Sequence, residues 1–143
     1  MDITLLVVRN NLKRKYSITN KILSFLIASV WLMNGLYCKI LNQVPRHETI
    51  VASIFNNEYS RQIIILIGFL EVCLSIWLFT KYKQKLATIL QIFLVLVMNI
   101  IEFIIAKELL LWREYNIVFA LIFITTVYLN GFYFNKKHHV SQT

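Results

Sequence analysis

The stretch Gln62–Thr80, QIIILIGFLEVCLSIWLFT, runs directly into Lys81–Lys85, KYKQK, and its reading decides the fold. Glu71 is the one charge in that apolar run. About 20 apolar residues at 1.5 Å of helical rise span a hydrocarbon core roughly 30 Å thick. The stretch therefore predicts a membrane-crossing helix. The lysine turn after it is short, so the next helix, over about 86–106, is an antiparallel neighbour.

Working outward, two more spans complete the set. Residues 21–41 form one, closed by Asn42 and Pro45, because the residue before a proline resists the α region. Residues 115–134 form the other. Between the first two spans, Pro45 and Glu48 mark a helix start, and Ile50, Val51, Ile54 and Phe55 follow at helical spacing. Its length suits an interfacial or re-entrant helix better than a span. Residues 107–114 (KELLLWRE) read as an amphipathic connector with Trp112 at an interface, and residues 135–143 as a polar tail. Residues 1–19 read as a basic lead-in, with too short an apolar run for a signal peptide. The expected fold is all-α, an integral membrane four-helix bundle occupying residues 20–134 as one domain.

Composition agrees. The chain is 58% hydrophobic over 143 residues, against about 45–50% for a soluble domain. The formal charge of +8 would suit nucleic acid, but the basic residues flank apolar runs, where they meet anionic headgroups and set topology. Nucleic acid is therefore not an expected partner. Ten of the 15 Lys and Arg lie in the lead-in, at Lys21, in the lysine turn and in the tail, and five lie on the other side. The positive-inside rule puts both termini and the lysine turn in the cytoplasm, in a multi-pass protein of the cell membrane. Cys38 and Cys73 have no CxxC or zinc spacing and read as buried small hydrophobes.

Four polar residues interrupt the spans: Asn34, Glu71, Asn99 and Glu102. A carboxylate at bilayer depth costs a few kcal/mol or more, so such residues face a bundle interior or a water-filled cavity. Counted inward from the outer boundary, Asn34, Glu71 and Asn99 share one level, with Lys39 and Glu102 nearer the edge and Arg46 and His47 above. Gln91, Asn99 and Glu102 share one helical stripe, Gly68, Glu71 and Ser75 a second, and Trp31, Asn34 and Cys38 a third. Together they predict an outward-opening pocket, with Trp31, Asn34, Lys39, Arg46, His47, Glu71, Asn99 and Glu102 as its ligand-binding set.

Several chemistries suit that set. Two carboxyls close together in low dielectric do not both ionise easily, which suits general acid–base work by Glu71 and Glu102, with His47 as a relay. The same groups suit the polar head of a lipophilic ligand such as a quinone. No metal site is expected, since one histidine and two carboxylates show no ligand spacing, and His138 and His139 lie on the opposite side. Plainer roles exist for each. The asparagines can bond across helices for packing, Lys39 can snorkel to the interface, His47 can be an ordinary loop residue, and Trp31 and Trp77 suit packing or an aromatic belt.

The blocks Trp31–Lys39 (WLMNGLYCK), Val44–Val51 (VPRHETIV), Gly68–Glu71 (GFLE), Met98–Phe103 (MNIIEF) and Leu109–Trp112 (LLLW) together resemble the DoxX-like membrane proteins. The resemblance covers about residues 24–130. It implies a small four-helix membrane protein related to subunits that accompany thiosulfate–quinone oxidoreductase. It further implies an accessory role in a membrane redox system, with a redox protein or a second copy as partner, a quinone as ligand and no covalently bound cofactor. The competing expectations are an enzyme acting on a membrane lipid through Glu71 and Glu102, and a non-catalytic partner-binding or chaperone-like protein. Transport is a weaker fit, as four helices without an internal repeat make a poor monomeric transporter.

Overall fold

A computed structural model describes residues 3–55, 58–105 and 115–134, and their regular structure is helical. Helix α1, Ile3–Leu32, continues without a break as a π-helix over Met33–Ile40. Helix α2 is Arg46–Phe55, α3 is Ser60–Thr80, α4 is Gln84–Ile105, and α5, Tyr115–Tyr128, continues as a π-helix over Leu129–Phe134. Among the described residues four helices are long and apolar enough to cross a membrane: Ile3–Ile40, Ser60–Thr80, Gln84–Ile104 and Tyr115–Phe134. The chain is an all-α membrane bundle. The connector expected over 107–114 and the tail over 135–143 lie outside the described residues.

The first helix is longer than the sequence pattern predicts. It starts at Ile3 rather than near residue 21, so the basic lead-in is helical and continuous with the span. No Gly or Pro precedes Gly35, so nothing in the lead-in carries the large helix penalty of those residues. At about 55 Å the whole helix exceeds the hydrocarbon thickness.

The ends of the other helices follow from local chemistry. Asn42, at φ 52°, turns the chain after the π-helix, a left-handed conformation that asparagine tolerates. The Pro45 carbonyl accepts the Thr49 N–H at 3.1 Å and starts α2. Ten residues of α2 make about 15 Å, half a span, and it buries Ile50 and Val51 while packing on α3, α4 and the first π-helix. Helix α3 ends at Lys81, φ 55°, and Lys83 adopts φ 46°, which reverses the chain into α4.

Burial is inverted relative to a water-soluble domain. Asn20, Lys39, Ser60, Glu71, Ser75, Thr88, Gln91 and Asn130 are buried, whereas Leu66, Phe69, Leu70, Ile76, Phe93, Ile100 and Ile122 are exposed. Apolar outer faces of this extent belong against lipid tails. The apolar centre is small: Ile27, Trp31, Leu74 and Val127, with Trp77, Leu78 and Phe123 packed against it.

Two glycines set a close crossing of the first and third helices. A Cβ on Gly35 would stand 2.5 Å from the Gly68 carbonyl oxygen and 2.9 Å from the Glu71 Cβ. A Cβ on Gly68 would stand 2.7 Å from the Gly35 oxygen. Small residues allow such backbone contact between membrane helices, where dispersion rather than water exclusion drives association. One side of this crossing is tied by Ser75, whose hydroxyl donates to the Ala28 carbonyl at 2.7 Å. The crossing carries Glu71 directly against the first π-helix.

Candidate functional site

The first π-helix decides which side chains meet Glu71. On an α-helix, residues five apart point about 140° away from each other. The wider π turn, closed by i→i+5 bonds, brings positions 34 and 39 toward one face. Asn34 Nδ2 donates to Glu71 Oε1 at 3.2 Å, and Lys39 Nζ pairs with the same oxygen. Lys39 is 1% exposed and Glu71 4%. The snorkelling alternative for Lys39 therefore gives way to a buried ion pair. Arg61 completes the support by donating to the carbonyls of Lys39 at 3.1 Å and Ile40 at 2.8 Å, which satisfies groups a helix end leaves open. Glu48 receives Asn42 Nδ2 at 3.0 Å and lies 3.8 Å from Arg61, tying α2 to the same corner.

A second polar group forms where α4 meets α5. Asn116 Nδ2 donates to Asn99 Oδ1 at 3.0 Å and reaches Glu102 Oε2 at 3.5 Å. Asn99 in turn donates to the Val95 carbonyl at 2.8 Å. Glu102 feels the charges of Lys39 and Arg46, and Glu71 feels Glu102, so the two groups share one electrostatic neighbourhood. The structure thus brings Asn34, Lys39 and Glu71 into contact, sets Asn99 and Glu102 beside them with Asn116, and places Arg46 and His47 on α2.

Two atoms here are buried without a hydrogen-bonding partner among the described residues, Glu71 Oε2 and Arg46 Nε. One is an acceptor and the other a donor. Each costs roughly 1–3 kcal/mol or more when left unpaired in the interior. Burial, reinforced by the charges of Lys39 and Arg46, lowers His47 from 6.5 to about 4. The imidazole is therefore neutral near pH 7, able to donate and accept one hydrogen bond each but weak as a proton acceptor.

Trp31 lies elsewhere. It is 3% exposed in the apolar centre, makes an edge contact with Phe123, and donates its Nε1 hydrogen to Gln91 Oε1 at 3.0 Å. Gln91 shares a stripe with Asn99 and Glu102 but lies two turns toward the lysine turn, where it serves Trp31 and the Ala87 carbonyl. Of the cysteines, Cys38 is half-buried and Cys73 exposed on the outer face of α3.

Asn116 and Arg61 are the contributors that the sequence pattern did not single out. Asn116 stands one residue into its span and reads as a boundary residue. The available signal was that an antiparallel neighbour sets the start of α5 beside the end of α4, where Asn99 and Glu102 lie. Arg61 acts on backbone carbonyls, which carry no sequence signal.

The family model described as the DoxX-like family matches residues 28–129. No curated protein and no solved structure matches the chain.

Two predictions follow from the ion pair and the imidazole. Lys39→Met strands a buried carboxylate and should destabilise the fold by about 3–5 kcal/mol, while Lys39→Met with Glu71→Leu should recover most of that loss. Thermal unfolding in detergent reads both, and equal losses in the single and double variants would contradict a paired site. For His47, the unfolded chain binds its proton more tightly than the folded one, so stability should fall as pH drops from about 6.5 toward 4. His47→Gln should flatten that part of the profile, and identical profiles for the two proteins would show that the imidazole contributes nothing.

Proposed function

The chain belongs to the DoxX-like family, and from that premise we propose that its buried polar corner binds the head of a lipophilic ligand, a quinone, within a membrane redox system. The observation that carries this reading is the pair of orphaned atoms, Glu71 Oε2 and Arg46 Nε. A quinone carbonyl takes a hydrogen bond from Arg46, and a quinol hydroxyl gives one to Glu71. Asn116, Glu102 and neutral His47 extend the same donor and acceptor surface. The ligand's apolar tail is compatible with the lipid-facing side chains of the spans. When bound, a quinone supplies two-electron, two-proton redox chemistry, with electrons coming from a redox partner protein. This chain's part is to hold the head and keep a proton acceptor, the Glu71 carboxylate, next to it.

The lipid-enzyme reading stands second. Glu71 bonds Lys39 and Asn34, whereas Glu102 bonds Asn116, so the two carboxyls do not form the bonded pair that acid–base exchange between them would use.

The site is proposed to face outward, with both termini and the lysine turn cytoplasmic, as the charge asymmetry supports. In a Cys38→Ala, Cys73→Ala background, Lys83→Cys should react with a membrane-impermeant thiol reagent only after the cells are opened. Labelling of intact cells would reverse the orientation.

For the ligand, the protein is purified in mild detergent and the extract analysed by mass spectrometry. Glu71→Gln and Arg46→Met should each lower co-purifying quinone by about tenfold, the worth of one hydrogen bond involving a charged group. Quinone content equal to wild type in both variants would overturn the proposal.

A further inference from the structure

A second polar site lies at the other end of the bundle. Ser24 precedes Lys39 by fifteen residues on one helix, about 22 Å along its axis. Here a narrow cleft opens among all four spans, with an inner volume of about 10 Å³, room for one hydroxyl-sized group, lined by Ser24 from α1, Trp77 from α3, Thr88 and Gln91 from α4 and Asn130 from the second π-helix, with Lys81 at the turn. Its floor is a directed chain of hydrogen bonds. Asn130 Nδ2 donates to Ser24 Oγ at 3.0 Å, and Ser24 donates to Asn20 Oδ1 at 3.2 Å. Because the Ser24 hydrogen is committed to Asn20, Asn130 must present its amide hydrogen to Ser24. Its carbonyl oxygen is then left over. Asn130 is 6% exposed, and Oδ1 has no partner among the described residues.

We propose that this cleft takes the free hydroxyl of an anionic lipid headgroup of the glycerol-phosphate class, with the phosphate outside it at the Lys81 mouth. A buried amide oxygen selects a hydroxyl or amine hydrogen, since an unpaired acceptor there is costly. A cationic amine is disfavoured by the charge at the mouth, where Lys81 lines the cleft and Lys83 and Lys85 follow it in the same turn. Lys81 instead attracts a phosphate as a point charge. The mouth is built for the headgroup level of a bilayer. Trp77 Nε1 donates to the Tyr82 carbonyl at 2.8 Å and pins the lysine turn over the cleft, and Trp and Tyr concentrate at that depth. A hydroxyl on Asn130 with a phosphate at Lys81 uses every open feature of the site. The proposal is independent of the quinone reading.

The test is native mass spectrometry of the full chain released from mixed micelles of phosphatidylglycerol, phosphatidic acid and phosphatidylcholine. Phosphatidylglycerol should be retained about tenfold over phosphatidylcholine, with phosphatidic acid, which lacks the glycerol hydroxyl, in between. Lys81→Gln, an exposed change that leaves the core untouched, should remove most of the preference for both anionic lipids. Asn130→Leu should remove only the preference of phosphatidylglycerol over phosphatidic acid, and Glu71→Gln should change neither. Equal retention of the three lipids by wild type, or undiminished preference in Lys81→Gln, would overturn the proposal. Complete displacement of the lipid by soluble glycerol 1-phosphate would overturn the lipid as occupant in favour of a free phosphate ester.

Discussion

The buried Lys39–Glu71 ion pair is the constraint that the rest of the bundle is arranged to meet. Two charges removed from water demand close contact and satisfied neighbours, because desolvation otherwise exceeds the Coulombic gain. Three features of the backbone serve that demand. Gly35 and Gly68 let the two helices touch main chain to main chain, which brings the Glu71 carboxyl within reach of the first helix. The π-helical segment turns Asn34 and Lys39 toward it together. Arg61 then closes the carbonyls that the wide turn leaves open. Replacing any one of these would leave the pair misaligned inside a low-dielectric site.

How far the site was legible in the sequence follows from the same geometry. Spans, their order and the intruding carboxylates were plain, because apolar length and a charge inside it are one-dimensional signals. The grouping was only partly so. Depth counting placed Asn34 and Glu71 at one level, and they bond. It placed Asn99 there too, yet Asn99 turns to Asn116 on the neighbouring hairpin arm. Lys39 was placed in the pocket set but not beside Asn34, because a 3.6-residue period puts it off the Asn34 face and nothing in WLMNGLYCK announces a change of helical period. Trp31 was grouped with Asn34 on a correct stripe, but its indole nitrogen turns toward Gln91 instead. The continuity of the lead-in with the first span was missed for a different reason, since its basic residues mark a boundary of the apolar run although none of them breaks a helix.

The apolar centre separates two polar ends. Ile27, Trp31, Leu74 and Val127 form a plug, and among the described residues the Trp31–Gln91 and Ser75–Ala28 bonds cross between helices at its level, each with its donor and acceptor paired. The polar groups at the two ends of the bundle are therefore separated by apolar packing.

Charge balance narrows what the upper site accepts. Lys39 and Arg46 supply two fixed positive charges, and Glu71 and Glu102 supply two carboxyls within their electrostatic reach. His47 adds no charge near neutral pH, because burial and the adjacent cations keep it deprotonated. A neutral ligand would add no charge to this set, whereas an anion or a cation would. Low dielectric magnifies either imbalance. A head with a neutral carbonyl and a neutral hydroxyl, as in the ligand proposed above, would pair the orphaned Arg46 and Glu71 atoms while leaving the ion pair, and the helix crossing built around it, undisturbed.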